Sequence, residues 1–183
     1  MNKIQRAILI VVVAYIVITQ TGCQSQGAAT ASPVASGSPT VSGSVSLDSE
    51  EAAFVVLINQ YRVSQGLAEL QVSLDLTISS KWMSQDMAAN NYLGHTDSLG
   101  RDPFTRMAAF GYGNYSAAGE NVAAGNADAQ STFTQWKNSA AHNANMLDSG
   151  YAVIGVGRAY SASSTYGWYW TTDFGSTVDT LLQ

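Results

Sequence analysis

Both histidines of this chain sit in short strings of small and polar residues: His95 in Gly94-His95-Thr96, and His142 in Trp136-x-x-Ser139-x-x-His142-x-x-Asn145-x-Leu147. A third string, Gly119-Glu120-Asn121-Val122-Ala123, brings a carboxylate. Charged residues make up only 11% of the chain, so imidazole and carboxylate beside turn-forming residues point to one shared polar cleft. Imidazole is a common metal ligand and titrates near neutral pH, so such a cleft suits cation binding, proton transfer or ligand recognition.

Two further pairs could do chemistry. Ser139 and His142 stand three residues apart and could face each other on a helix, but a serine at a helix N-cap directs its oxygen to backbone N–H groups. Capping is therefore the reading taken for Ser139. Glu120 and Asp173 could form a carboxylate pair of the glycosidase type, at a separation that sequence does not give. The glycines around Gly119 and Gly155 match no phosphate-binding motif, which argues against a nucleotide.

These groups need elements to hold them. Asp48-x-x-Glu51 has the form of a capping box, followed at helical spacing by Phe54, Leu57, Ile58 and Tyr61, with Gly66 as the stop. A second helix is expected from about Ser73 to Ala89, with Leu74, Ile78 and Trp82 on one stripe and Met83 and Met87 beside it. Asp102-Pro103 reads as N-cap and first residue of a short third helix carrying Phe104 and Met107. Asp128 opens a fourth helix, with Phe133 and Trp136 inward, and Ser139 opens a fifth through Leu147. Residues 151–160 and 165–174 are rich in β-branched and aromatic types and read as two strands, with Ser161 to Ser164 as the loop between them. Helices first and strands last predict an α+β fold. Tyr166, Trp168 and Trp170 alternate along one strand face and are read as core in preference to a sugar platform.

The three strings, in this order, resemble the CAP superfamily of cysteine-rich secretory proteins, antigen 5 and pathogenesis-related proteins, with bacterial relatives. Asn59-Gln-Tyr-Arg62-Val-Ser-Gln-Gly66-Leu67-Ala-Glu-Leu70 is similar to the opening helix and turn of bacterial members. Gly155-Val-Gly157 and Tyr169-Trp170-Thr171-Thr172-Asp173-Phe174-Gly175 are similar to their closing strand pair. The resemblance runs over roughly residues 50 to 176. It implies a three-layer α-β-α sandwich around a central, mostly antiparallel sheet, within a domain taken as residues 47–183. It also implies a cleft lined by two histidines and two acids. Carried over, the matching residues are His95, Glu120 and His142, with Ser139 where the second acid stands. Two imidazoles and a carboxylate form a plausible open site for a divalent cation such as zinc. The alternative is that both histidines simply hydrogen-bond to Glu120 and nearby backbone. The resemblance suggests a binding module for a cation or a small, lipidic or cell-wall ligand. A cell-envelope hydrolase using the same three residues is the competing class.

The N-terminus predicts a location outside the cytoplasm for this domain. Lys3 and Arg6 precede an apolar run from Ala7 to Ile18, which fits a signal peptide over residues 1–22 and is short for a membrane span. Thr21-Gly22-Cys23 then supplies the small residues of a lipoprotein cleavage site, although Gln20 stands where that pattern usually has leucine. Cys23, the chain's single cysteine, is read as the acylated residue that anchors the protein to a bacterial membrane. Residues 24–46 are Ser/Ala/Gly/Pro-rich and uncharged, a tether of about 25–30 Å. Without Lys3 and Arg6, six basic side chains face thirteen acidic ones, a formal charge of −7. No basic cluster exists, which excludes nucleic acid and leaves membrane attachment to the acyl group.

Overall fold

The structure, a computed structural model, describes residues 45–183. The leader, Cys23 and nearly all of the tether expected from the sequence lie outside the described residues. The elements run α1 (Ser49–Ser64), β1 (Gln71–Val72), α2 (Leu74–Asn90), α3 (Pro103–Ala109), β2 (Ala118–Ala124), α4 (Ala129–Lys137), α5 (Ala140–Met146), β3 (Val153–Tyr160) and β4 (Trp168–Gly175). The fold is α+β. The strand order is β1-β3-β4-β2, with β1 parallel to β3 and the other pairs antiparallel.

Side chains alternate across the sheet and bind a helical layer on each face. Toward one side, Ile154, Val156, Trp170 and Phe174 pack with Phe54 and Ile58 of α1, Phe133 and Trp136 of α4, and Met146 of α5. Toward the other, Val122 and Tyr169 meet Met83 and Met87 of α2, and Val153 meets Leu76 and Met107 of α3. The expected three layers are therefore present.

The helix starts follow their sequence signals. Asp48 and Glu51 form the capping box, and Asp102 and Asp128 cap α3 and α4 through the amides of Thr105 and Ser131. Ser139 occupies the N-cap of α5 but its hydroxyl makes no capping bond, contrary to expectation. Arg62, buried at the end of α1, donates to the carbonyls of Ala68, Met146 and Asp148, each at 2.9 Å. It thereby fixes where α5 ends.

Three expectations need correction. The buried face of α2 is not the Leu74–Ile78–Trp82 stripe, whose members are half-buried, but Leu76, Thr77, Ser80, Met83, Ser84 and Met87. The cause lies across the interface, in Gly155 and Gly157 of β3. A Cβ on Gly155 would come within 2.1 Å of the Leu76 backbone, and one on Gly157 within 2.3 Å of the Lys81 amide. The helix thus rests on bare strand, where only small residues fit beneath it, and Ser84 bonds Gly157 O and Thr171 Oγ1, both at 2.9 Å. Secondly, the strands do not all follow the helices: the Gly119–Ala123 string lies in β2, between α3 and α4, where pairing with β4 makes it a strand. Thirdly, the hairpin loop runs to Gly167, and of the three alternating aromatics only Trp170 is fully buried, while Tyr166 is exposed and outside the strand.

Candidate functional site

Glu120 lies on β2, at the edge of the sheet, directly opposite Asp173 of β4 and one strand from Gly155 of β3. The loop after α2 brings His95 to it. That loop starts where Asn91 turns left-handed at φ 53°, and Asp86 gathers it by accepting from the Tyr92 hydroxyl and, at 2.8 Å, from the Ser98 amide. Burial and the Asp86 charge push the Tyr92 phenol well above its ordinary pKa, so this donor keeps its proton. Asp97 closes the far side of the loop, accepting from the amides of Leu99 and Arg101 and from Arg101 Nε at 2.7 Å. The Arg101 guanidinium in turn lies 4.6 Å from the centre of the Trp82 ring.

The carboxylate of Glu120 is held from two sides. His95 Nδ1 is 2.7 Å from Oε1, and Arg106 of α3 pairs with Oε2. Arg106 is completely buried and also donates to the His95 carbonyl at 3.1 Å, so one guanidinium fixes the backbone of His95 and the group its ring binds. Burial opposes the charge on Arg106, but Glu120, Asp173 and Asp97 together outweigh it and raise its pKa. Sequence reasoning missed Arg106. A lone arginine four residues after a helix cap carries no signal of where its side chain ends.

His142 arrives from the opposite helical layer. Asn121 Nδ2 donates to the His142 carbonyl at 3.1 Å, and Asn145 Nδ2 donates to Glu120 O and Asn121 Oδ1. These bonds seat α5 against β2; the two asparagines were visible in the strings, but without a role. The His142 ring sits 6.1 Å from that of Trp136, and its buried Nδ1 has no hydrogen-bond partner among the described residues. Burial, helped by His95, lowers its pKa to about 4, so it is neutral at physiological pH. His95 and His142 are both partly exposed.

Asp173 is the unusual member. It is fully buried, and neither carboxylate oxygen has a hydrogen-bond partner among the described residues. Burial pushes its pKa up to about 8, with Glu120 adding to the rise and Arg106 opposing it. A carboxyl so held is protonated at neutral pH. It does not make a glycosidase-type pair with Glu120, because such a pair flanks an open cleft and Asp173 is sealed from solvent.

Of the three residues expected to line the cleft, Glu120 and His95 are in direct contact. Each oxygen of Glu120 has one partner, His95 on Oε1 and Arg106 on Oε2, so the carboxylate orients the His95 ring. Among the described residues no three His, Cys, Asp or Glu side chains are arranged to hold a metal ion. Nor does Ser139 form a dyad, since no hydrogen bond joins its hydroxyl to His142.

The family model described as "CAP: Cysteine-rich secretory protein family" matches residues 55–174, which hold all of these groups. The chain belongs to the CAP family. Among curated proteins the CAP domain is similar to YkwD of Bacillus subtilis (strain 168), 36% identical over 129 residues that cover 70% of this chain and 48% of that protein. The chain thus spans about half the length of this relative. Among solved structures it is similar to an extracellular SCP-domain protein of Bacillus anthracis str. Ames, with TM-score 0.62 and 26% identity over 70% of this chain and 40% of that one. An outer surface protein of Borrelia burgdorferi shares the fold, with TM-score 0.64 and 19% identity over 72% of this chain and 97% of that one. Among the described residues, no helix of this CAP domain is long and apolar enough to cross a membrane.

Proposed function

We propose that this CAP domain is a binding module outside the cytoplasmic membrane, tethered through an acylated Cys23, with a ligand site between His95 and His142. The observation that carries the reading is the commitment of Glu120 to both Arg106 and His95. A buried carboxylate paired with a buried arginine holds the His95 imidazole in one orientation. What faces outward is then a neutral His142 and an oriented His95, which suit hydrogen bonding to a small polar ligand or headgroup. A divalent cation would meet these two imidazoles alone and bind weakly. The extracellular and outer-surface descriptions of two structural relatives, together with the apolar run ending in Thr21-Gly22-Cys23, support the location.

Calorimetry with Zn²⁺, Cu²⁺ and Ca²⁺ on the wild type and on His95→Ala/His142→Ala tests the cleft. Weak binding that vanishes in the double variant is expected, and tight stoichiometric zinc would overturn the two-imidazole description. The His95–Glu120 bond also favours a hydrolase reading, in which Glu120 orients a general base. Turnover of casein, peptidoglycan fragments or ester substrates that disappears in Glu120→Gln would replace the binding module with that enzyme. For the tether, Cys23→Ser should move the protein from the membrane fraction to the soluble one, since a buried acyl chain contributes about 0.8 kcal/mol per CH₂. An unmodified Cys23 on membrane-bound protein would contradict it.

A further inference from the structure

At the last rung of the β3–β4 hairpin Tyr160 pairs with Trp168, and neither ring belongs to the buried core cluster of that face. Two rungs inward, on the same face, Trp170 is fully buried and its Nε1 donates to Asn126 O at 2.9 Å. At the last rung Trp168 is only half-buried, and Tyr160 is 58% exposed. The rings there are built into place. The Arg158 guanidinium lies 4.4 Å from the centre of the Trp168 ring, and the Tyr160 ring lies 5.1 Å from it at 46°. Arg158 is fixed in turn, with Nε donating to Asp48 and Nη1 to Ala127 O. Gly167 clears the space on which Tyr160 rests: a Cβ there would come within 3.2 Å of Tyr160 Cε2.

We propose that this rung is a saccharide-binding surface, with Tyr160, backed by Trp168, stacking on the apolar face of an uncharged pyranose. The chemistry around the ring selects that partner. Residues 161–167 contain no acid or base other than the Tyr166 phenol, and the hydroxyls of Ser161, Ser163 and Ser164 already bond within the loop, Ser161 with Ser163 at 3.1 Å and Ser164 to Ser161 O at 2.9 Å. The one nearby cation, Arg158, is already engaged by Asp48, a backbone carbonyl and the Trp168 face. An exposed aromatic ring beside an uncharged loop suits the apolar C–H face of an uncharged sugar. An anionic polymer would meet a chain of net negative charge, and the Arg158 beside the rung is already paired with Asp48. A protein partner would need roughly 800 Å² of surface, far more than one rung of a hairpin offers. The rung lies five residues along β4 from Asp173, about 16 Å by strand rise, so it is separate from the histidine cleft.

The probes are the uncharged tetrasaccharides of glucose and of N-acetylglucosamine, titrated to millimolar concentration into the whole protein and followed by amide chemical shifts. Saturable shifts at Tyr160, Trp168 and residues 161–167 are expected for at least one of them. Tyr160→Ala should weaken that binding about tenfold while Tyr160→Phe retains it. Because Tyr160 is largely exposed, its loss should leave the melting temperature close to that of the wild type. The proposal is overturned if neither tetrasaccharide binds, if Tyr160→Ala binds as the wild type does, or if the shifts centre on His95 and His142.

Discussion

Asparagine at position 173 would isolate the energetic cost of a buried carboxyl at the heart of the site. Asp173 is sealed from solvent, and burial lifts its pKa from an ordinary 3.8 to about 8. Between those values the folded chain holds a proton that the unfolded chain has released. The folded state therefore binds more protons, and stability falls as pH rises through this window. Each unit corresponds to 1.36 kcal/mol, so the full shift caps the effect at about 5–6 kcal/mol. Between pH 5.5 and 8 about 2.5 units apply, and asparagine has nothing to titrate. Relative to the wild type, Asp173→Asn should thus gain about 3 kcal/mol across that interval. Urea unfolding followed by tryptophan fluorescence reads this as a difference in midpoints that widens with pH at unchanged m-value. Parallel pH profiles for the two proteins would refute the reasoning, because they would mean that Asp173 titrates alike folded and unfolded.

The other predictions concern positions where one group or its absence fixes the site. Gly157→Ala should cost more than about 3 kcal/mol or prevent folding, because its methyl would meet the α2 backbone at 2.3 Å; thermal melting near the wild-type value would show that α2 can lift off β3. His142 should titrate near pH 4 in proton NMR and contribute stability present above pH 6.5 and lost as pH falls toward 4; an ordinary midpoint would contradict its burial. Arg106→Met should cost about 3–5 kcal/mol by leaving Glu120 buried without its guanidinium, measured by urea unfolding, and a neutral outcome would remove Arg106 from its positioning role.

Local signals in the sequence were sufficient for what local chemistry controls. Asp48-x-x-Glu51 and Asp102-Pro103 announce helix starts because a cap is satisfied within a single turn. The glycines of β3 act differently: they remove bulk from a strand and so choose which side of a helix far earlier in the chain is buried. Periodicity within α2 could not show it, since the face that docks is rich in Ser and Thr. β2 was illegible because Ala-Gly-Glu-Asn-Val-Ala-Ala has little strand preference and owes its form to β4. At the site, the strings name His95, Glu120 and His142, but a role depends on partners. That Glu120 is paired with Arg106 is visible only in the structure.

A family described by its cysteines includes here a chain with a single cysteine, at position 23 and outside the domain. Arg62 shows what does the fastening instead. Its guanidinium joins the end of α1 to the carbonyls of Met146 and Asp148, 84 and 86 residues away, closing loops of a length that secreted domains often close with sulfur. A clasp made of hydrogen bonds needs no oxidant to form and no isomerase to correct it. The domain can therefore reach the same fold on either side of a membrane, whatever the thiol chemistry there, and reductants that dismantle disulfide scaffolds have no bond in it to cut.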